Sequence, residues 1–552
     1  MSNYKNVILC FKIKKPKRSV KNSLLLIFSL ILPLLSNAQN HETSRFGVYG
    51  AYSLTFTWFQ TQMGFTNTDY WNWVDNHFVN LGAHWTRSNN IAWDMIERTL
   101  GNGYDWTTNP FATDSVITNI YDSPADVNWL GSPSFRATRS PLDYPTEWHN
   151  FLTACVERYN GDGINDLNQY VKVKYWQINN EVFQISNDFT SSQYAQIFAL
   201  SETAIHSVDT SAKLCLISTT EGNTVDTFLV NVITELANMS VPFDVMDIHH
   251  WGNASDYKIT VLPFYRHLLD SLGYTNVEIW SCEHGTHTYQ PVGFPFQTKE
   301  EQAASLLKRY VWNLNNGLSK LFWNNLMEWY AFAGNPNSVF NSMGLIGDGS
   351  YCGEPSDEFN HIRKSYFSYK ILAENIDTDK ASFVGNSSFH NESSGNYGYV
   401  FQDLNTSDSF EIFWTDNSSA VYTFNLNSTY KLTNMVPVDD SGNFNIQTLT
   451  PGTHNISVNI NEIYLLKKEG TTGMSEIEIK SNLPLIYPNP TTDKIFIEIK
   501  DFDEIELINI VGEIVLSTKG NPMLDLSNVS AGVYIVRINS DNQYKYCKII
   551  KQ

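Results

Sequence analysis

Cysteine is scarce in this chain, with six residues in 552 and none at metal-ligand spacing. Cys10 sits in the N-terminal stretch. The five that remain, Cys155, Cys215, Cys282, Cys352 and Cys547, are an odd set, so no disulfide framework is indicated, although a single bridge through Cys352 stays open. Charge is also scarce, at 17% of residues, and one-sided: 37 Lys and Arg face 57 Asp and Glu, for a net −20. With no basic block in the body of the chain, nucleic acid is excluded as a partner. No glycine-rich turn follows the first predicted strand, which argues against a dinucleotide-binding open sheet.

What is present begins with a leader. Lys5, Lys12, Lys14, Lys15, Lys17, Arg18 and Lys21 precede the apolar run 23–35, and Ser36-Asn37-Ala38-Gln39 follows. A basic segment, a short apolar segment and small residues read as a signal peptide over 1–38, cut after Ala38. The run is too short to be a permanent transmembrane segment. Removing the leader takes the net charge from −20 to −27. The 15 Trp, 29 Tyr and 32 Phe exceed what packing alone usually needs. They fit either large aromatic cores or a cleft lined with rings for sugars and other flat-faced ligands.

From 44 to 376 short β-rich runs alternate with amphipathic helical stretches. Strands are predicted at 46–52, 82–87, 115–121, 173–179, 213–218, 243–249, 277–282 and 318–323. Helices are predicted at 146–159, 192–207, 224–237, 259–272, 299–315 and 361–375. Eight strands at this spacing predict a (β/α)8 barrel with enlarged loops, notably 122–143 and 331–357. Over 378–468 the helices give way to alternating runs and Gly, Asn, Asp and Ser turns, which predict an antiparallel β-sandwich packed on the barrel. A polar linker, 469–481, leads to a compact all-β module over 482–552.

The chemistry-bearing residues lie at strand ends. The fourth strand runs into Asn180-Glu181, and the seventh delivers Glu283. Acids at the C-terminal ends of barrel strands face the mouth, where burial is offset only by hydrogen bonds or function. Two facing carboxyl groups are what acetal cleavage needs: an acid to protonate the leaving oxygen and a carboxylate to meet the oxocarbenium centre. An ionised Glu283 favours the protonated form of Glu181, and that influence disappears once Glu283 is esterified to sugar. Arg87, ending the second strand, is placed to keep Glu283 ionised or to form a structural salt bridge. The sixth strand ends in Asp247-Ile248-His249-His250-Trp251, which offers His249 or Trp251 to a sugar. After the eighth, Trp323 is the candidate stacking indole and Trp329 a second one, while Glu328 ranks below Glu283 because it lies beyond the strand end. His249, His250, His284 and His287 are too irregularly spaced for a metal site, so no cofactor is expected.

These motifs give two resemblances. Residues 44–376 resemble the clan A retaining glycoside hydrolases, in which an Asn-Glu pair ends strand four and a nucleophilic Glu ends strand seven. The resemblance implies Glu181 as acid/base, Glu283 as nucleophile, Asn180 as a binder of the sugar 2-hydroxyl and Arg87 as a neighbour of the nucleophile. The sandwich looks like the accessory domain of family 39. In the tail, Tyr487-Pro488-Asn489-Pro490, Ile510-Val511-Gly512 and Ala531-Gly532-Val533-Tyr534 resemble, in order, the C-terminal sorting domain of the Bacteroidetes type IX secretion system. That implies the type IX machinery as a partner and secretion or outer-membrane surface attachment. The expected activity is retaining hydrolysis of a polysaccharide or oligosaccharide. A noncatalytic carbohydrate-binding protein on the same barrel, or a transglycosylase, are the alternatives.

Overall fold

The computed structural model describes residues 41–53, 60–61, 63–219, 221–328, 339–348, 359–469, 485–487, 491–499, 502–509, 514–540 and 543–551. The expected leader, Cys352, Trp329 and the linker beyond Glu469 lie outside the described residues. The chain divides into Met1–His41 and a body, Glu42–Gln552.

Eight parallel strands close into a ring: β1 (Phe46–Tyr49), β2 (Trp85–Ala92), β3 (Asn128–Ser134), β4 (Tyr175–Gln177), β5 (Lys213–Cys215), β6 (Val245–Asp247), β7 (Glu278–Thr286) and β8 (Lys320–Trp323). Each pairs with the next, and β1 pairs with β8 through Gly47↔Phe322 and its neighbours. Between and after them run α1 (Asn67–Leu81), α2 (Thr113–Asp122), α3 (Pro145–Tyr159), α4 (Ser191–His206), α5 (Thr227–Met239), α6 (Leu262–Ser271), α7 (Lys299–Asn315) and α8 (Lys364–Ile376). Local chemistry sets several helix starts. Thr66 with Asp69, Thr190 with Gln193 and Thr298 with Glu301 form reciprocal capping boxes that satisfy the first amide groups of α1, α4 and α7.

The third strand is a correction. Val116, Ile117 and Thr118 read as β-branched strand, yet 115–121 lies inside α2, which buries Val116, Ile117 and Ile120 on one helical face. The strand proper, β3, falls within the stretch expected to be a loop and contains Gly131 and Pro133. A Cβ at Gly131 would lie 3.1 Å from the Trp176 ring, so close packing, not strand propensity, selects this residue.

Side chains two residues apart on a strand share a face, and this carries the barrel interior from an apolar floor to a polar mouth. Trp85, Tyr175, Val245 and Trp280 belong to the floor cluster with Leu130, Cys215 and Phe322. Two residues further along β2, β4 and β6 stand Arg87, Gln177 and Asp247, all fully buried.

After α8 a six-stranded antiparallel sheet begins at Ala381–Asn386, accompanied by the pair Ser419–Leu426 and Gly452–Asn459. Tyr397, Tyr399 and Trp414 on this sheet share one continuous core with the barrel, and Lys308 of α7 pairs with Asp416 at 3.0 Å. The C-terminal module holds a three-stranded and a four-stranded antiparallel sheet around a core of its own that includes Ile495, Leu507, Val536 and Ile549.

Candidate active site

Glu181 reaches the mouth through a backbone kink. Beyond β4, Asn179 adopts φ +68, a left-handed conformation that Asn tolerates better than most residues, and Asn180 and Glu181 follow. The kinked segment is held by Ser218, whose backbone amide and hydroxyl both donate to the Asn180 carbonyl, at 3.0 and 2.9 Å. Glu283 lies inside β7 rather than past its end, where the pairing with β8 shifts register between Ser281 and His284. Such irregularities re-aim a side chain, here toward the barrel axis.

The two glutamates meet at His249. One carboxylate oxygen from each and a ring nitrogen of His249 all lie within 4.8 Å of one another. His249 Nδ1 is 2.7 Å from Glu181 Oε1 and 3.7 Å from Glu283 Oε2, while its Nε2 is 3.1 Å from Asp247 Oδ2. Burial alone would depress this imidazole, but the Glu283 and Asp247 charges and the hydrogen bonds to Asp247 and Glu181 raise it to about 10. Burial raises the Glu283 carboxyl above its ordinary range, and the His249 and Arg87 charges oppose that rise.

Arg87 organises the other side. Its Nη1 donates to Glu283 Oε1 at 2.7 Å, its Nε to Gln177 Oε1 at 2.6 Å, and its Nη2 to Asn180 Oδ1. With the Asn180 oxygen engaged, the amide NH2 is the group left to donate to a ligand. Gln177 Nε2 passes the network on to Asp247 Oδ2 at 2.8 Å, and Asp247 Oδ1 accepts from the Cys282 amide at 2.8 Å. Tyr49 at the end of β1 hydrogen-bonds Glu283, and burial followed by the Glu283 charge pushes its phenol far up. Sequence reasoning missed Tyr49 and Gln177. The signal for Gln177 was a lone polar residue on the inward face of an otherwise apolar strand.

Above these groups opens a cavity of about 790 Å³, lined by Tyr49, Asn180, Glu181 and Glu283 together with Phe183, Trp251, Asn324 and Phe340. Trp251 packs edge-on against Phe340 at 5.2 Å, and its Nε1 is buried without a hydrogen-bond partner. Trp323 is placed elsewhere: it is fully buried, donates from Nε1 to the Met343 carbonyl at 2.9 Å and belongs to the core. Glu328 forms a buried ion pair with Arg363 at 2.5 Å. The other histidines do not converge with His249. His250 Nε2 faces the Asp256 carbonyl, His284 lies between Ser281 and Arg309, and His287 faces the Pro295 carbonyl. Glu181, His249 and Glu283 are close enough to hold a cation, and both His249 nitrogens already face carboxylates.

A closed (β/α)8 barrel with two buried glutamates facing each other at its mouth is the arrangement of a glycoside hydrolase. Solved structures share the fold. A glucosidase from Croceicoccus marinus superposes with a TM-score of 0.53 at 12% identity, over 79% of this chain and 98% of its own. A bacterial orthologue of human α-L-iduronidase gives 0.50 at 9% identity, over 92% of this chain and 97% of its own. Residues 485–552 match the Secretion system C-terminal sorting domain. A domain of this kind addresses the chain to the outer-membrane surface or the medium. None of the curated proteins matches the sequence.

Proposed function

We propose that the protein is a retaining O-glycoside hydrolase of clan A, acting on a polysaccharide or oligosaccharide by double displacement. The observation that carries this reading is the approach of one oxygen from each of the Glu181 and Glu283 carboxylates to within 4.8 Å, which fits the about 5 Å spacing of a direct-attack pair better than the about 6.5–9.5 Å of an inverting one. In the first step the Glu181 proton moves to the glycosidic oxygen, the bond from that oxygen to C1 breaks, and a Glu283 oxygen bonds to C1. In the second, Glu181 takes a proton from water, the water oxygen bonds to C1, and the Glu283 ester is released. Arg87 favours the ionised nucleophile. His249 Nδ1, 2.7 Å from Glu181 Oε1, holds that carboxyl in position. Asn180 Nδ2 is oriented for a sugar hydroxyl, and Trp251 supplies a ring face. Trp323 supports this mouth from the core, and Trp329 follows β8 in sequence as a further candidate ring.

In this reading residues 1–38 are a leader, 44–376 the catalytic barrel, 378–468 a family 39-like accessory sandwich, 469–481 a linker and 482–552 the sorting module. The test is Glu283→Ala on aryl glycosides. Activity should disappear and partly return with azide as an external nucleophile, giving an inverted glycosyl azide. Undiminished turnover in that variant would end the assignment.

A further inference from the structure

The charges that line the cavity carry information about the sugar it takes. Glu181, Glu221, Asp256 and Glu283 face it, and among the described residues no Lys or Arg does. Residues 54–59, 62, 220, 329–338 and 349–358, outside the described residues, contain neither Lys nor Arg.

The cations beneath the cavity are already engaged. Arg87 gives its donors to Glu283, Gln177 and Asn180, and His249 lies between Asp247 and Glu181. Arg309 donates to Ser305 Oγ, His284 Nε2 and the Asn253 carbonyl. His250 also lines the cavity, but burial and then the Arg309 charge lower it to about 3, so it is neutral at physiological pH.

A second observation concerns the polar atoms on offer. Asn324, 1% exposed and lining the cavity, has a buried Oδ1 with no hydrogen-bond partner. A buried acceptor of this kind calls for a donor on the ligand. Sugar hydroxyls donate to carboxylates and amide oxygens, whereas a uronic acid or a sulfated sugar brings only further negative charge at C6 or on its ester. Such a group would enter a partly desolvated site beside the Glu283 carboxylate without a partner cation.

We infer that the cavity takes uncharged sugars, recognised through their hydroxyls, and rejects uronic acid and sulfated residues. This inference rests on the hydrolase reading and narrows it, since the iduronidase-like fold alone leaves uronides open.

The test uses the full chain and matched aryl glycosides in both anomers: glucoside with glucuronide, galactoside with galacturonide, and for each uronide its C6 carboxamide, which has the same size without the charge. The expected result is that kcat/KM for the preferred neutral glycoside exceeds that of its uronide by about a hundredfold or more, with the carboxamide falling near the neutral sugar. A uronide cleaved as well as its neutral partner, by a reaction that Glu283→Ala abolishes, would overturn the inference and leave the hydrolase intact. A carboxamide as poor as the uronide would overturn it too, because size and not charge would then be the discriminator. If no glycoside is cleaved and no neutral sugar raises the melting temperature of the protein, the hydrolase reading fails and this inference falls with it.

Discussion

Replacing Arg87 with Met keeps a long unbranched side chain in a fully buried position and deletes its charge along with three hydrogen bonds. The ion pair it forms with Glu283 spans 2.7 Å, with side-chain exposures of 0% and 8%. Unit charges about 4 Å apart at an effective dielectric of about 20 attract by about 4 kcal/mol, equivalent to about three pKa units. Burial already raises the Glu283 carboxyl, so loss of Arg87 leaves His249 as the main opposing charge. The acidic limb of the kcat/KM profile should therefore move upward by about two to three pH units. At a pH just above the wild-type limb this means a loss of about a hundredfold, recovered in part as pH rises. The assay is the pH–rate profile of an activated aryl glycoside for wild type, Arg87→Met and Arg87→Lys, with the folded fraction followed by circular dichroism at each pH. Breaking a buried pair also costs about 3–5 kcal/mol of stability, so the folded fraction must be divided out. Lys should give a smaller displacement, since it restores the charge without the planar fork. A Met variant that loses activity uniformly while its acidic limb coincides with wild type would refute the reasoning and reduce Arg87 to a packing residue.

Three other perturbations probe the same network. His249 is raised to about 10 from an ordinary value of 6.5, so its contribution to stability is complete below about pH 6.5 and is lost as pH climbs toward 10. Urea denaturation should show wild-type stability falling across that window, while His249→Phe, less stable at pH 6, should show a flatter profile; parallel profiles would contradict a charged ring. Gly222→Ala would put a Cβ 2.6 Å from His250 Nδ1, a ring fixed by its contact with the Asp256 carbonyl, and should cost about 1–3 kcal/mol in thermal denaturation and raise KM. Trp251→Ala removes a ring face of the cavity and should raise KM about tenfold or more with a smaller change in kcat; an unaltered KM would place the sugar elsewhere.

The barrel was legible because its signal repeats: each strand-helix unit leaves one apolar run and one amphipathic stretch, and the repeat survives a local error. The third unit shows how. Val116, Ile117 and Ile120 are β-branched, which favours strand locally, but they also fall on one face of a helix, and tertiary burial decided for the helix. Asn128–Ser134 escaped notice because a strand buried on both sides can use Gly131 and Pro133 where neighbouring rings need the room. The carboxylates and His249 were visible because acids and imidazoles after apolar strands are costly to bury. Tyr49 and Asn324 were not, since nothing local separates a Tyr or an amide that serves a site from one that merely packs. Trp323 illustrates the reverse: an indole after β8 reads as a sugar platform, yet its ring is in the core and its N–H is taken by the Met343 carbonyl.

The pairing of β1 with β8 also has a consequence for the order of events in the cell. The first strand to be synthesised closes against the last, and Ser44 is tied to Asp377 across 333 residues by a 2.6 Å hydrogen bond. No N-terminal fragment emerging from the ribosome can complete the ring, so the barrel stays open until nearly the whole of it has been made. Contacts of such long range are slow to form. On the proposal that residues 1–38 are an export leader, a chain that is slow to lock shut stays suited to translocation in an extended form.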